Sequence, residues 1–295
     1  MWDIASVAAK VLGLACIAAV VGGSFSLFLA RGLDNTAAEK VRAYMLAGSA
    51  VGFVATAVFF LLQIGAINQQ GLVGMLDWQM GQILAQSSLG YSTGIRLGAF
   101  LLTGCAILLL TPRSKGQASA YRLRASQLLF TIILFALAST FLLTGHVTSL
   151  GNAAHIAIVL HVTAVFLWIG SLWPLHAFCS AGSQETAALE SVMIEFGKLA
   201  IGIVLVLVAA GLFFLNSLLE SWRDIYETPY GRGMLLKLTG VSGLLLLGAL
   251  NKFRLVPRLG NPAGKHLLAR SIKLEMALAS AILTITSYLT IVVGI

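Results

Sequence analysis

Histidines are the residues of this chain with the clearest capacity for metal chemistry. Three of the five, His146, His155 and His161, fall close together in one largely apolar stretch, whereas His176 and His266 lie further along the chain. Imidazole is a good ligand for copper and zinc, and the thioether of methionine adds selectivity for Cu(I). The sequence therefore predicts a soft-metal site built on the first three histidines.

The spacing of these histidines restricts how they can share a metal ion. His155 and His161 are six residues apart, so on a regular helix their side chains point about 120° away from each other. They can share one ion only if the helix begins after His155, and His146 could pair with either of them. One three-histidine site and two successive stations along an inward path both remain open.

Met75 and Met80 could extend such a site outward, because they lie in a polar, glutamine-rich segment between two apolar runs. Simpler interpretations exist for all five residues. Histidines in apolar surroundings can bond to backbone or hydroxyl groups, and methionines in an apolar chain usually serve packing. The predicted metal ligands are therefore His146, His155, His161, Met75 and Met80, with ordinary packing as the alternative for each.

Composition defines the class of protein that must position these side chains. The 295 residues are 58% hydrophobic and 10% charged, and their mean hydropathy is +0.93. An average soluble domain carries about a quarter charged residues, and one soluble core could not hide so much apolar surface. A soluble enzyme, a nucleic-acid-binding module and a disordered chain are excluded. We predict a single integral membrane domain over residues 1–295.

Apolar runs long enough to cross a membrane recur eight times, since a spanning helix needs about 20 such residues. The fold class predicted is an all-α polytopic membrane protein with eight transmembrane helices. The first run is expected to be a retained helix, not a cleaved signal. Segment 184–197, with glutamates at helical spacing, predicts a short amphipathic helix at the cytoplasmic interface. The predicted spans are roughly 8–30, 43–67, 94–111, 125–145, 153–176, 199–219, 233–251 and 272–294.

Basic residues are distributed unevenly between the predicted loops. Most of the 19 lysines and arginines fall in the loops after the first, third, fifth and seventh spans. Because cytoplasmic loops carry the excess of Lys and Arg, both termini are predicted to lie outside, in the periplasm. The net charge of +8 is thus a sign of topology, and no nucleic-acid partner is predicted.

A few charged residues fall inside the spans, where each needs a reason. Arg96 lies within GYSTGIRLG, and Lys237 lies within PYGRGMLLKL at the start of the span four places later, which predicts a four-plus-four parallel repeat. The two are read as interfacial anchors or as support for an anionic partner. Glu275 is expected to pair with a cation such as Lys252 or Arg254, or to form an exit-side cation stop.

Motifs of the common catalytic sites are absent from the sequence. It contains no P-loop, CxxC, HExxH or GxSxG pattern, so we predict neither an enzyme nor catalytic or organic cofactor-binding residues. Cys16, Cys105 and Cys179 form no disulfide framework.

The second half of the chain resembles the bacterial CopD/PcoD copper-resistance family of inner-membrane proteins. The order and spacing of the shared motifs cover most of residues 144–275. The motifs are TGH at 144–146, LHVTAVFLWIGSLWPL at 160–175, TPYGRGMLLKL at 228–238, ALNKFRLVPRL at 249–259 and SIKLE at 271–275.

This resemblance implies a multi-pass protein of the bacterial cytoplasmic membrane that moves copper from periplasm to cytoplasm in copper homeostasis and resistance. It also implies a separate periplasmic copper-binding protein as partner, besides the copper ion and membrane lipids. His146 and His161 fall inside the shared motifs, and His155 lies between them. The predicted function is copper import through an outer-face histidine site that takes Cu(I) or Cu(II).

Two other functions fit the same histidines. Haem in a helix bundle can be held by histidines from facing helices, which would give a haem-binding or redox membrane protein. A copper acceptor or sensor that does not transport would also use an outer-face copper site.

Overall fold

The computed structural model describes residues 2–30, 33, 35–110, 120–144, 150–180, 186–218 and 221–294. No strand occurs in these ranges, and ten α-helices alternate with short connections. The α-helices are α1 (Trp2–Leu29), α2 (Asn35–Asn68), α3 (Trp78–Ala85), α4 (Ser88–Leu110), α5 (Ala120–Ser139), α6 (Asn152–Ser180), α7 (Thr186–Leu218), α8 (Asp224–Glu227), α9 (Pro229–Leu250) and α10 (Pro262–Tyr288).

Eight helices in the described ranges are long and apolar enough to cross a membrane, which confirms the all-α class and the eight predicted spans. The short helices α3 and α8 lie in the connections between spans. One detail differs from expectation. In the described part of segment 184–197 there is no separate amphipathic helix, because α7 runs without interruption from Thr186 to Leu218.

Helices α1 and α6 form the centre of the bundle, since half of the most apolar window of each is buried. Glycines allow their close approach. A Cβ added at Gly22 would overlap the backbone of Gly170, and one at Gly170 would overlap the carbonyl group of Ala18. The Ser171 hydroxyl donates to the Leu167 carbonyl at 2.6 Å and lies 3.3 Å from the Gly22 carbonyl. The hydroxyl is therefore satisfied where the two backbones meet.

The start of α1 and the end of α10 lie at the same end of the bundle, as an even number of spans requires. The Lys10 ammonium near the start of α1 donates to the Thr290 hydroxyl just after α10 at 2.7 Å. We call this the termini end, and the opposite end, which carries the basic segment 252–273, the basic end. His155 and His161 lie in the termini half, and Glu275 lies in the basic half.

Each half has its own hydrophobic core. The termini half packs α1, α4, α5 and α6 around residues such as Phe100, Leu137 and Phe166. The basic half packs α2, α6, α7 and α10 around Trp168 and Phe178. Helix α9 is peripheral, with only 6% of its most apolar window buried. Its exposed leucines suit a surface that faces lipid.

Candidate metal site and the charged groups around it

His161 lies on α6 at the interface with α7. Its Nδ1 is 3.1 Å from the backbone carbonyl oxygen of Leu207. Because a carbonyl oxygen can only accept, Nδ1 must carry the hydrogen, which leaves the lone pair on Nε2. A backbone carbonyl bound to one ring nitrogen is a common way to orient the other nitrogen toward a metal. His161 is thus chemically prepared to act as a ligand through Nε2.

Gly211 on α7 provides the space that the His161 ring occupies. A Cβ added at Gly211 would lie 2.9 Å from both Nδ1 and Cε1 of the ring, too close for the ring to stay where it is. The ammonium of Lys237 on α9 also interacts electrostatically with His161. The ring is therefore fixed by α7, with a positive charge near it.

His155 lies in the first turn of α6, where its side chain is half-buried and its backbone N–H donates to the Gly151 carbonyl at 3.2 Å. The helix begins at Asn152, before His155. The condition for His155 and His161 to share one ion is therefore absent, since a continuous helix turns them about 120° apart. One ion shared by this pair is therefore disfavoured, while His146 lies outside the described residues.

Met75 and Met80 lie in the connection between α2 and α4. Met75 is in a 3₁₀ segment, Gly71–Leu76, and is half-buried next to Trp2, since a Cβ at Gly65 would overlap both side chains. Met80 is half-buried on α3. The contacts given for His161 are with α7. The grouping of the methionines with the histidines therefore stays a prediction. Within the described ranges, no three His, Cys, Asp or Glu side chains group closely enough to hold a metal.

Asp77 holds the start of α3, which carries Met80. Its carboxylate accepts from the Met80 backbone N–H at 2.9 Å and from the Asn68 side-chain amide at 2.9 Å. The hydrogen bond from the Met80 N–H, with the help of Asn68, lowers the pKa of Asp77 from its ordinary value of 3.8. This carboxylate serves as an N-cap, so the local structure accounts for it without a metal.

Three basic side chains of the termini half occupy the same position counted from the start of their helices. Lys10, Arg96 and Lys237 each stand eight residues after the first residue of α1, α4 and α9, about 12 Å along the helix axis. The Arg96 Nε donates to the Thr140 hydroxyl at 3.0 Å, and its guanidinium lies 5.1 Å from the Phe141 ring centre. The sequence had pointed to Arg96 and Lys237. Lys10 was missed, although it is a lone charge beside an apolar run.

In the basic half, Glu275 is only 3% exposed and accepts a hydrogen bond from the Asn251 side-chain amide at 2.9 Å. The expected pairing with a cation is wrong. The Lys252 ammonium instead donates to the Gly197 carbonyl of α7, and Arg254 is exposed. The long, flexible Lys252 side chain can place its ammonium at the polar end of the bundle. The buried Glu275 carboxyl is bonded to the shorter Asn251 side chain instead.

Asn251 opens a π-helical turn, Asn251–Leu255, which continues α9. Single π turns occur often at functional sites because they change the direction of side chains on a helix. Asn251 is 8% exposed, and its Oδ1 has no hydrogen-bond partner among the residues that the structure describes. The sequence signal was an amide side chain between Leu250 and Lys252 in ALNKFRL, and the sequence analysis considered only the charged residues of this motif.

A cavity of about 230 Å³ lies between α7 and α9, and Trp168 of α6 contributes to its lining. Most of the lining is apolar, and its polar side chains are Glu275, Asn251 and Lys252. A Cβ added at Gly197 would contact the Lys252 stem at 3.6 Å, so this side chain extends from α9 onto α7. Lys252 thus bridges the two helices beside the cavity.

His176 ties α6 to α10 in the basic half. Its Nδ1 is 3.1 Å from the Ala269 carbonyl oxygen, and its Nε2 is 3.4 Å from the Ser180 hydroxyl. The ring thus makes the same kind of carbonyl contact as His161, about 22 Å further along α6. The contact joins two helices, and the ring is satisfied without a metal.

Comparison with protein families gave one match, to CopD, copper resistance protein D, over residues 190–289. The matched segment runs from α7 to the π-helical turn after α10 and contains Lys237, Asn251 and Glu275. His155 and His161 precede it. No curated protein and no solved structure matches the chain.

The match confirms the resemblance that the motifs TPYGRGMLLKL, ALNKFRLVPRL and SIKLE carry in the sequence. It supports a role in copper resistance. The eight apolar helices agree with a multi-pass protein of the bacterial inner membrane. Over about a third of its length, this integral membrane protein is similar to copper resistance protein D.

Proposed function

We propose that this protein imports copper ions across the bacterial cytoplasmic membrane, from periplasm toward cytoplasm. The observation that carries the proposal is the hydrogen bond from His161 Nδ1 to the Leu207 carbonyl at 3.1 Å. It leaves Nε2 free to bind a metal inside an apolar helix bundle. The CopD match over residues 190–289 supplies copper as the metal.

The direction rests on charge distribution. Basic loops face the cytoplasm by the positive-inside rule, so the termini end faces the periplasm and His161 belongs to the outer half of the bundle. Copper would then meet His155 first and His161 about 9 Å deeper. His146 would complete either station, and Met75 or Met80 would receive the ion at the outer surface.

The ligands fit more than one state of copper. Imidazole nitrogen binds Cu(I) and Cu(II), and a methionine sulfur in the path would favour Cu(I). A separate periplasmic copper-binding protein would deliver the ion. The sequence contains no P-loop, so the driving force is an ion gradient, the membrane potential or a cytoplasmic sink. The potential alone favours entry of a cation by about 2.3 kcal/mol per charge and 100 mV.

The test compares purified wild-type protein with His161→Asn and His161→Ala. Asparagine keeps an N–H that can donate to the Leu207 carbonyl but offers no imidazole nitrogen to copper. His266→Ala, an exposed change in the basic segment 252–273, is the matched control. We expect bound copper, and copper uptake into proteoliposomes, to be lost in both His161 variants and retained in the control.

The same preparations separate the competing functions. Unchanged copper binding and uptake in His161→Asn would overturn the proposed site. Copper bound without uptake in the wild type would indicate an acceptor or sensor. A Soret band in the absorption spectrum, lost together with His146 and His161, would indicate a haem protein.

A further inference from the structure

Within the described part of the chain, Glu275 is the one acidic side chain that lines the cavity between α7 and α9. It is 3% exposed and accepts a hydrogen bond from a neutral amide, that of Asn251. An ionised carboxylate in such a place, without a cation bound to it, is costly. A neutral carboxyl group that carries a proton avoids this cost.

The oxygen atoms around the cavity specify the kind of ligand. Besides the carboxyl group, the buried Oδ1 of Asn251 has no hydrogen-bond partner in the described part of the chain. Two oxygen ligands without sulfur or imidazole suit a proton or a hard cation, and they are poor ligands for Cu(I). The group therefore differs in chemistry from the histidine stations in the termini half.

Charged and titratable groups near Glu275 are few. Lys252 shares the cavity, but its ammonium is bound to a carbonyl of α7, and the α7 residues that line the cavity are uncharged. On α6, His176 binds a carbonyl of α10, and on α10 itself Lys273 is exposed. Lys10 of α1 bonds at the other end of α10. Each of these cations has its own contact or faces outward.

We propose that Glu275 and Asn251 form a proton-binding site, from which the carboxyl exchanges its proton with water that enters the cavity beside Lys252. In the exchange, the O–H bond of the carboxyl breaks as the proton bonds to a water oxygen, and the carboxylate keeps the electron pair. The bridge from Lys252 to Gly197 covers this route at the basic end. If the proposed copper transport holds, this site is where proton movement couples to copper movement.

The direct test is infrared difference spectroscopy of the purified protein in water and in heavy water, with no copper added. We expect the C=O band of a protonated carboxyl in the wild type and its loss in Glu275→Gln, which keeps the size of the side chain. Glu275→Asp should restore a shifted band if the group binds a proton. Glu190→Gln, a half-buried position at the start of α7, is the control and should leave the band unchanged.

The contact between Lys252 and the Gly197 carbonyl leads to a second expectation. Lys252→Ala should speed the deuterium shift of the carboxyl band severalfold, whereas Lys198→Ala, an exposed change on α7, should not. If the carboxyl C=O band persists in Glu275→Gln, the proton site is overturned. It is also overturned if Glu275→Gln loses a carboxylate band and not a carboxyl band. Equal exchange rates in Lys252→Ala and the wild type would overturn the route beside Lys252.

Proteoliposomes with an internal pH dye test the coupling. Copper uptake by the wild type should be accompanied by proton movement, and Glu275→Gln should lose that movement. The same proton-to-copper ratio in Glu275→Gln would overturn the coupling. If the wild type takes up no copper, the proposed function fails, while the infrared result still decides the proton site.

Discussion

The two halves of the helix bundle hold different ionisable groups. In the termini half, the half-buried side chains of Lys10, Arg96 and Lys237 lie on three helices, and Lys237 interacts electrostatically with His161. In the basic half, a single carboxyl group, Glu275, faces a cavity. The first half presents cations and a metal-binding nitrogen, and the second presents oxygen ligands.

Both halves satisfy these groups with neutral partners. Arg96 and Lys10 donate to threonine hydroxyls, Lys252 donates to a backbone carbonyl, and Glu275 accepts from an amide. Our proposals give the two halves different ligands, a soft metal in one and a proton in the other.

The contact between α1 and α6 joins the two halves. Gly170→Ala should disrupt this contact and cause the largest loss of stability among the variants. The new Cβ would overlap the Ala18 carbonyl group, so the helices must move apart, at a cost on the order of 3 kcal/mol. Thermal unfolding in detergent should show a clear loss of stability, and both copper binding and the Glu275 carboxyl band should disappear together. Gly202→Ala, with open space around the added Cβ, is the control. A Gly170→Ala protein that melts like the wild type would contradict this account of the helix contact.

The termini half alone should respond to Arg96→Ala, with a smaller effect. The change removes the hydrogen bond to Thr140 and the stacking on Phe141, which together are worth about 1–2 kcal/mol. Thermal unfolding should register this loss while the carboxyl band of Glu275 stays in place. Arg232→Ala, an exposed change on α9, should be near neutral. Loss of the band in Arg96→Ala would show that the two halves are not independent.

The smallest effect concerns Asp77 at the termini end. Because hydrogen bonding to the Met80 N–H lowers the pKa of this carboxyl in the folded protein, its contribution to stability is present above the ordinary value of 3.8 and is lost as pH falls through the lowered pKa. Asp77→Ala should lose this acid dependence in unfolding measurements below about pH 4. Identical acid dependence in the two proteins would contradict the role of Asp77 as the cap of α3.

Hydropathy and motif order were enough to predict the class, the eight spans and the CopD resemblance. A spanning helix depends on the composition of its own segment, because each satisfies its backbone hydrogen bonds internally. The ends of the helices were less predictable, since α7 begins thirteen residues before its predicted span 199–219. Its first turns are polar, so a search for apolar residues does not detect that they continue into the span.

Side-chain partners followed a different rule. Glu275 was expected to bind Lys252 or Arg254 because these were the nearest cations in the sequence, but a π-helical turn directs Asn251 to it and the Lys252 ammonium reaches α7. Opposite charge and proximity along the chain do not fix which faces of two helices meet.

The sequence by itself determined that this is an eight-span membrane protein with copper-resistance motifs, because apolar length and motif order are local properties of the chain. Only the tertiary structure decided that His161 binds the Leu207 carbonyl, that Lys10 donates to Thr290, and that Glu275 faces a cavity with Asn251. These features depend on how helices far apart in sequence rotate and pack against each other. That packing is set by close contacts such as Gly22 with Gly170, which no single segment encodes.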